Sequence, residues 1–252
     1  MGAWFPEQGR VVFRGKNLFT ELQHMSWPAM WYFAITGKTF TDSQIELFSR
    51  LWVICTSYPE PRIWNNRVAA LTGSAKSTAM LALASGVGVS EGKIYGGQAN
   101  IRAMDFIIRA KQSVVDEGQD LEVFVKSELE RTRAVPYGYG RPVHKTDERA
   151  PEALKLAESL GLHDGHHVRI SYEIEEILLK MRYRARINIG GLTAALFADQ
   201  GVTPKEFYTA CGIIYSAGMM ACYVDTAEKP AGSFFPFRCE IVDYSGPGKR
   251  AW

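Results

Sequence analysis

Histidine is missing from the whole stretch between His24 and His144. Any proton carrier active at neutral pH must therefore come from outside that stretch or from another residue type. A CxxC pair is missing too. The cysteines Cys55, Cys211, Cys222 and Cys239 are scattered, mostly in apolar runs. That excludes zinc-ribbon and thioredoxin-like motifs and reads as reduced, buried thiols in a cytoplasmic protein. No apolar segment follows the start MGAWFPEQGR, so no secretory signal is expected. No apolar run of about 18 residues is expected either, hence no membrane span. Charge of one sign is lacking: 29 Lys and Arg face 27 Asp and Glu, a net +2. Nucleic acid and anionic membrane are therefore not expected partners.

What is present is helix after helix. The 252 residues, 46% hydrophobic and 22% charged, suit one globular domain, 1–252, with a small lobe within it. Helical spacing predicts helices over Ser26–Gly37, from a capping box at Thr41 and Gln44 through Ile54, and over a long small-residue stretch, Arg62–Val89. The Ala, Gly and Ser of that stretch suit close helix packing, in the core or at a subunit interface. Further helices are expected over Gln98–Val115, Leu121–Arg133, Pro151–Leu160, His166–Arg184, Leu192–Gln200 and Pro204–Glu228. Strand patterning is confined to Val11–Phe13 and Arg238–Tyr244. The fold class is mainly α.

The densest chemistry lies in VPYGYGRPVHKTDER, Val135–Arg149. Gly138 and Gly140 let backbone approach a ligand closely, and a cluster of cationic and titratable side chains follows. This loop resembles the oxaloacetate- and CoA-binding loop of the citrate synthase superfamily, with its GYGH-type turn and DPR ending. Three more stretches resemble the same family in the same order: RGKNLFTELQHMSWPAMWYFAITGKTFTDSQIELF (Arg14–Phe48), KIYGGQAN (Lys93–Asn100) and INIGGLTAALFADQGVTPKEFYTACGIIYSAGMMACYVDTAEKP (Ile187–Pro230). The length and wording are most similar to the short citryl-CoA lyase-like branch. The resemblance implies a citrate synthase-like helical fold with a large domain, a small lobe near residues 136–200, and a homodimer with sites near the subunit boundary.

The family's chemistry needs a base beside a thioester, a donor for the enol oxygen and cations for the keto-acid carboxylates. By the resemblance, those positions are changed here. The histidine of HGG is Tyr95, and the histidine and arginine of GHR are Arg141 and Pro142. The aspartate of NVDF is Gly190, and the arginine of IARTPG is Tyr215. The first catalytic histidine has no counterpart; Ser57 or Glu60 falls nearest.

The candidate catalytic residues are therefore Tyr95, Arg141, His144 and Glu60. Tyr95 is an oxygen-binding donor or a structural cap of the glycine turn. Arg141 is an anion clamp or a surface ion pair. His144 is the best remaining proton carrier, or a structural stand-in. Glu60 is a base if buried beside Arg62 or Arg67, and a solvated loop carboxylate otherwise. Substrate contacts are expected from Asn188, Tyr215, Gln98 and Arg67. Contacts with a CoA-like ligand are expected from Val135, Gly138, Tyr139, Gly140, Lys145 and Arg149.

His163, His166 and His167 beside Asp164 offer metal-ligand types but read as a solvated helix start, so no metal is expected. No cofactor is required; CoA or an acyl-CoA enters as substrate. Three functions remain open. One is carbon–carbon bond chemistry on a keto acid or acyl thioester with a rebuilt site. Another is citryl-CoA lyase-like cleavage, against which the missing aspartate counts. The last is non-catalytic binding of a ligand or partner.

Overall fold

The computed structural model describes residues 1–93, 95–141, 146–236, 246 and 248. It is mainly helical, as expected, and divides into two compact units: Met1–Thr56 with Ser90–Tyr215, and Ser57–Val89 with Ser216–Trp252. The lobe expected near 136–200 lies inside the first unit.

The first unit opens with a small antiparallel sheet, β1 (Gly2–Phe5), β2 (Arg10–Phe13) and β3 (Lys16–Asn17), in that order. The pairing expected at Val11–Phe13 is there; that expected at Arg238–Tyr244 lies outside the described residues. Helix α1 (Trp27–Thr36) starts at Ser26, whose hydroxyl accepts from Ala29 N–H, and stops at Gly37 with φ 74°. The expected capping box is present at Thr41 and Gln44, opening α2 (Asp42–Cys55).

The core of this unit gathers on the later helices: α5 (Gly97–Lys111), α6 (Leu121–Thr132), α7 (Arg149–Ser159), α8 (His166–Lys180), α9 (Ile189–Asp199) and α10 (Pro204–Cys211). Helix α9 is apolar on nearly every side, and Ile189 and Gly191–Ala198 are all buried. A helix apolar all round belongs in the middle of a core. Phe48 of α2 stacks on Phe197 of α9 with ring centroids 4.3 Å apart, and Tyr32 and Phe207 close around them.

In the second unit, the long helix expected over Arg62–Val89 is two helices, α3 (Trp64–Ser74) and α4 (Ala79–Val89). The break is a helix-ending turn: Ser77 N–H reaches back to Thr72 O (3.0 Å), Lys76 N–H to Gly73 O (2.9 Å), and Lys76 sits at φ 60°. A lysine rather than a glycine holds the left-handed position, so spacing alone runs through it.

The single helix expected over Pro204–Glu228 is likewise divided, into α10 and α11 (Ser216–Ala227). Carbonyls near the break are claimed by outside side chains. Trp31 Nε1 donates to Ala210 O, and Thr56 Oγ1 to Ile214 O, both at 3.3 Å. Pro204–Ala227 is long and apolar enough, at mean hydropathy 1.3, to cross a membrane by length and composition alone. That corrects the expectation of no such run. Its two helices of 8 and 12 residues are each shorter than the roughly 20 residues a spanning helix needs.

Small residues seat α3 and α4 against α11. A Cβ on Gly73 would lie 2.6 Å from Tyr223 O, and one on Gly86 would strike the Met219 sulfur.

Candidate active site

The glycine-punctuated loop is stitched to the turn that starts α9. Gly138 O accepts from Asn188 N–H at 2.9 Å, Gly140 O from Asn188 Nδ2 at 2.8 Å, and Gly140 N–H donates to Arg186 O at 2.6 Å. Tyr139 and Ile187 form an antiparallel bridge between these bonds. Asn188 also caps α9, its Oδ1 accepting from Gly191 N–H at 3.0 Å. One asparagine therefore fixes both the helix start and the loop. Two glycines permit the approach. Gly138 has φ 94°, and a Cβ there would lie 2.9 Å from Gly191 Cα, while a Cβ on Gly191 would strike Gly138 O.

On one side of this junction Tyr139, Gly140, Arg141 and Val135 line an open cavity of about 310 Å³ with Arg184 and Ala185. Two guanidinium groups beside apolar and aromatic walls suit an anion that carries an apolar portion. Tyr139 contributes a wall rather than a free hydroxyl: its OH donates to Ser171 O at 2.8 Å, and burial drives its pKa well above the ordinary value. Arg141 bonds Glu148 at 2.6 Å and lies 3.7 Å from Asp147. Arg184 is not among the residues expected from sequence. Its only signal there is the alternating basic run Arg182, Arg184, Arg186.

A second group gathers around α5 and α9. The Tyr95 and Tyr215 rings lie 6.1 Å apart, and Asn100 Nδ2 is 3.3 Å from Tyr215 OH. Gly190 borders the same place: a Cβ there would sit 3.1 Å from Asn100 Oδ1 and 3.2 Å from Asn188 Oδ1. Burial pushes the Tyr95 phenol up to about 12, against the opposing pull of the Arg149 charge. Burial raises Tyr215 further. It also takes the Cys55 thiol to about 12, with Arg149 pulling the other way and Asp147 pushing with it. Arg149, expected to meet phosphates, is gripped by buried Asp147 and acts electrostatically on Tyr95 and Cys55. Cys55 and Asn100 escape a sequence reading as neighbours of this group because nothing in their local pattern marks them.

Other expected residues lie elsewhere. Gln98 Nε2 bonds Glu91 at 3.3 Å, beside Tyr208, whose OH donates to the same carboxylate oxygen at 2.5 Å. Glu60 and Arg67 belong to the second unit. Glu60 is ion-paired with Arg62 at 2.5 Å, and that bond holds its carboxyl below the usual range. Its side chain is half-buried beside a largely exposed Arg62. Arg67 Nε donates to Pro61 O, and its guanidinium lies 5.8 Å from the Phe235 ring centroid. His144 and Lys145 lie outside the described residues. His167 pairs with Asp199 at 2.8 Å, and that carboxylate also accepts the N–H groups of His167 and Val168 at the start of α8. Among the described residues no group of three His, Cys, Asp or Glu is placed to hold a metal ion.

The family model described as "Citrate synthase, C-terminal domain" matches residues 66–231. A citrate/2-methylcitrate synthase of Bacillus subtilis (strain 168) is 27% identical over 243 residues, covering 94% of this chain and 60% of that protein. The chain thus spans about three fifths of that relative's length. Among solved structures, citryl-CoA lyase from Hydrogenobacter thermophilus superposes with a TM-score of 0.84 at 20% identity, covering 100% of this chain and 95% of that one. ATP citrate lyase from Methanothrix soehngenii, in complex with citrate and coenzyme A, gives 0.74 at 17% identity over 95% of this chain and 40% of that one. Citrate synthase from Thermoplasma acidophilum, with carboxymethyl coenzyme A and oxaloacetate, gives 0.65 at 17% identity over 90% and 58%. At these identities the structural likeness establishes the fold.

Proposed function

The chain belongs to the citrate synthase family, and from that premise we propose that it is an enzyme making or breaking a carbon–carbon bond on a keto acid or acyl-CoA-type substrate, with a rebuilt active site. The observation that carries this reading is the gathering of Tyr95, Tyr215, Asn100 and Arg149 about the Asn188–Gly191 turn, on the same junction as the two-arginine cavity.

The chemistry of the group supports anion and carbonyl recognition. With its pKa near 12, Tyr95 is a protonated donor at neutral pH, suited to an enol or carbonyl oxygen and unsuited to removing a proton. Arg149 supplies a permanent positive charge for a substrate carboxylate. Arg141 and Arg184 supply a second anion site for the CoA portion of a thioester. The proton carrier in this proposal is His144, the one histidine of the loop.

A homodimer fits the same reading. In the second unit Trp64, Leu71, Met80, Leu81 and Val224 are large apolar side chains left exposed on α3, α4 and α11. Where such side chains form one patch, they suit burial against a second copy. A cytoplasmic setting fits the absence of disulfides among the described cysteines, Cys55, Cys211 and Cys222.

The deciding experiment is a thermal-shift screen with citrate, oxaloacetate and CoA. Mass-spectrometric assays of citryl-CoA cleavage and of oxaloacetate with acetyl-CoA follow. Stabilisation by a carboxylate together with turnover supports the reading, and cleavage alone selects the citryl-CoA lyase-like alternative. Stabilisation without turnover selects a non-catalytic binder. No stabilisation and no turnover sinks the enzyme reading.

A further inference from the structure

Asp147 stands at the end of the loop, two residues before α7 begins, yet its side chain is only 1% exposed. A carboxylate sealed from water is costly unless several donors meet it. Donors meet this one from three directions. Arg149 grips both oxygens, Nε to Oδ1 and Nη2 to Oδ2, each at 2.9 Å, and its own backbone N–H adds a bond at 3.2 Å. Ile189 N–H donates to Oδ2 at 3.1 Å. Arg141 Nη1 lies 3.7 Å from Oδ1.

Arg149 and Ile189 are the first residues of α7 and α9. The positive ends of two helices therefore converge on one carboxylate. That carboxylate ties the end of the loop, with its Arg149 side chain, to the start of α9 and its Asn188–Gly191 turn, 42 residues on in sequence. Simple packing at this position needs no charge, since an apolar residue of similar volume fills such a place without the desolvation cost. A two-pronged bond along the Nε–Nη2 edge does what packing cannot. It fixes the plane and direction of the guanidinium and leaves the Nη1 donors out of the bond to Asp147. The Arg149 charge acts on the Tyr95 phenol and the Cys55 thiol, holding each below where burial alone would put it.

We propose that Asp147 is a positioning residue of the site: it fixes the plane of the Arg149 guanidinium and holds it in register with the Asn188–Gly191 turn. Asp147 touches no substrate and acts through Arg149. The inference deepens the proposed function and rests on it for the ligand class, a carboxylate.

A double-mutant cycle tests it, with citrate as the probe and calorimetric titration at pH 7 as the readout. Asp147→Asn keeps the size of the side chain and removes its charge. It should weaken citrate binding at least tenfold in the native background and change it less than twofold in an Arg149→Gln background. Two effects through one group do not add. Asp147→Glu, which restores the charge, should recover part of the affinity. Equal losses in both backgrounds overturn the proposal, since a purely structural aspartate weakens binding whether or not Arg149 is present.

A second measurement needs neither a folded variant nor a known ligand. In the wild-type protein the Arg149 Nε–H signal, assigned by ¹⁵N NMR, should exchange at least tenfold more slowly than a free guanidinium. Fast exchange overturns the positioning role outright. Slow exchange in a protein that binds no citrate supports Asp147's hold on Arg149 and rejects the carboxylate ligand instead.

Discussion

Gly138 and Gly191 meet backbone to backbone: a Cβ added to Gly138 would lie 2.9 Å from Gly191 Cα, and one added to Gly191 would strike Gly138 O. This meeting brings the glycine-punctuated loop against the first turn of α9. It makes both positions intolerant of any side chain, for different reasons. Gly138 has φ 94° and adds backbone strain to the clash, whereas Gly191 adds the clash alone. Gly138→Ala and Gly191→Ala should each cost on the order of 2–3 kcal/mol in urea denaturation. Gly190→Ala is the control. It lies in the helix, its Cβ meets only two amide oxygens at 3.1 and 3.2 Å, and its cost should stay below about 1 kcal/mol. Equal costs at 190 and 191 contradict the close approach.

Tyr95→Phe removes one hydroxyl and little volume. If Tyr95 donates to an oxygen whose charge grows during reaction, turnover should fall about 100-fold. Citrate affinity should change less than about threefold. A matching loss in both quantities makes Tyr95 an ordinary binding contact.

Alkaline stability follows from the buried phenols and thiols. Tyr95 is raised to about 12, as is Cys55, and burial also raises Tyr32, Tyr139 and Tyr215. Each group stays protonated in the folded state at a pH where the unfolded chain has released its proton. The stability involved is fully present below the unfolded values, near 9 for the thiol and 10 for the phenols, and is lost as pH rises toward 12. Melting temperature should fall steadily above pH 9, and Tyr95→Phe should flatten part of that fall. A constant melting temperature from pH 9 to 11 contradicts the burial.

Glu128 governs the acid side. Hydrogen bonds from Arg131 and Arg109 take its carboxyl down to about 2. A depressed carboxylate contributes stability that is present above the unfolded value, near 4.5, and lost as pH falls toward 2. Glu128→Gln should lower stability at pH 7 by on the order of 1–2 kcal/mol and have a much smaller effect at pH 2. Circular-dichroism melts at the two pH values separate these outcomes.

Arg184→Ala probes the open cavity. If Arg184 and Arg141 hold the anionic portion of CoA, each alanine substitution should weaken CoA binding about tenfold and reduce its salt dependence. Unchanged affinity at both positions removes the cavity from the candidate site.

The loop and the two glycine turns are readable because glycine leaves a literal mark in sequence. So do Thr41 and Gln44, whose capping box appears as the spacing predicts. Helix breaks without such marks are not readable. At Lys76 a non-glycine residue takes the left-handed conformation, and between Cys211 and Ser216 the helix yields where Trp31 and Thr56 claim nearby carbonyls. Glu60 looks usable as a base in sequence because its neighbours are arginines. Whether such a pair is buried or solvated depends on the space around it, and here a half-buried Glu60 is clasped by an exposed Arg62.

By itself, the sequence determined the mainly helical fold, the family, and the residue types available at each motif, because spacing, caps and glycines act locally and are written in order along the chain. Tertiary structure alone decided which of those residues lie together. It set the Arg149–Asp147 pair against the start of α9 and brought the Arg149 charge to bear on Tyr95 and Cys55. It added Arg184 to the loop's cavity. The reason is physical: burial, charge compensation and hydrogen-bond satisfaction depend on neighbours dozens of residues away, and only the folded chain sets those distances.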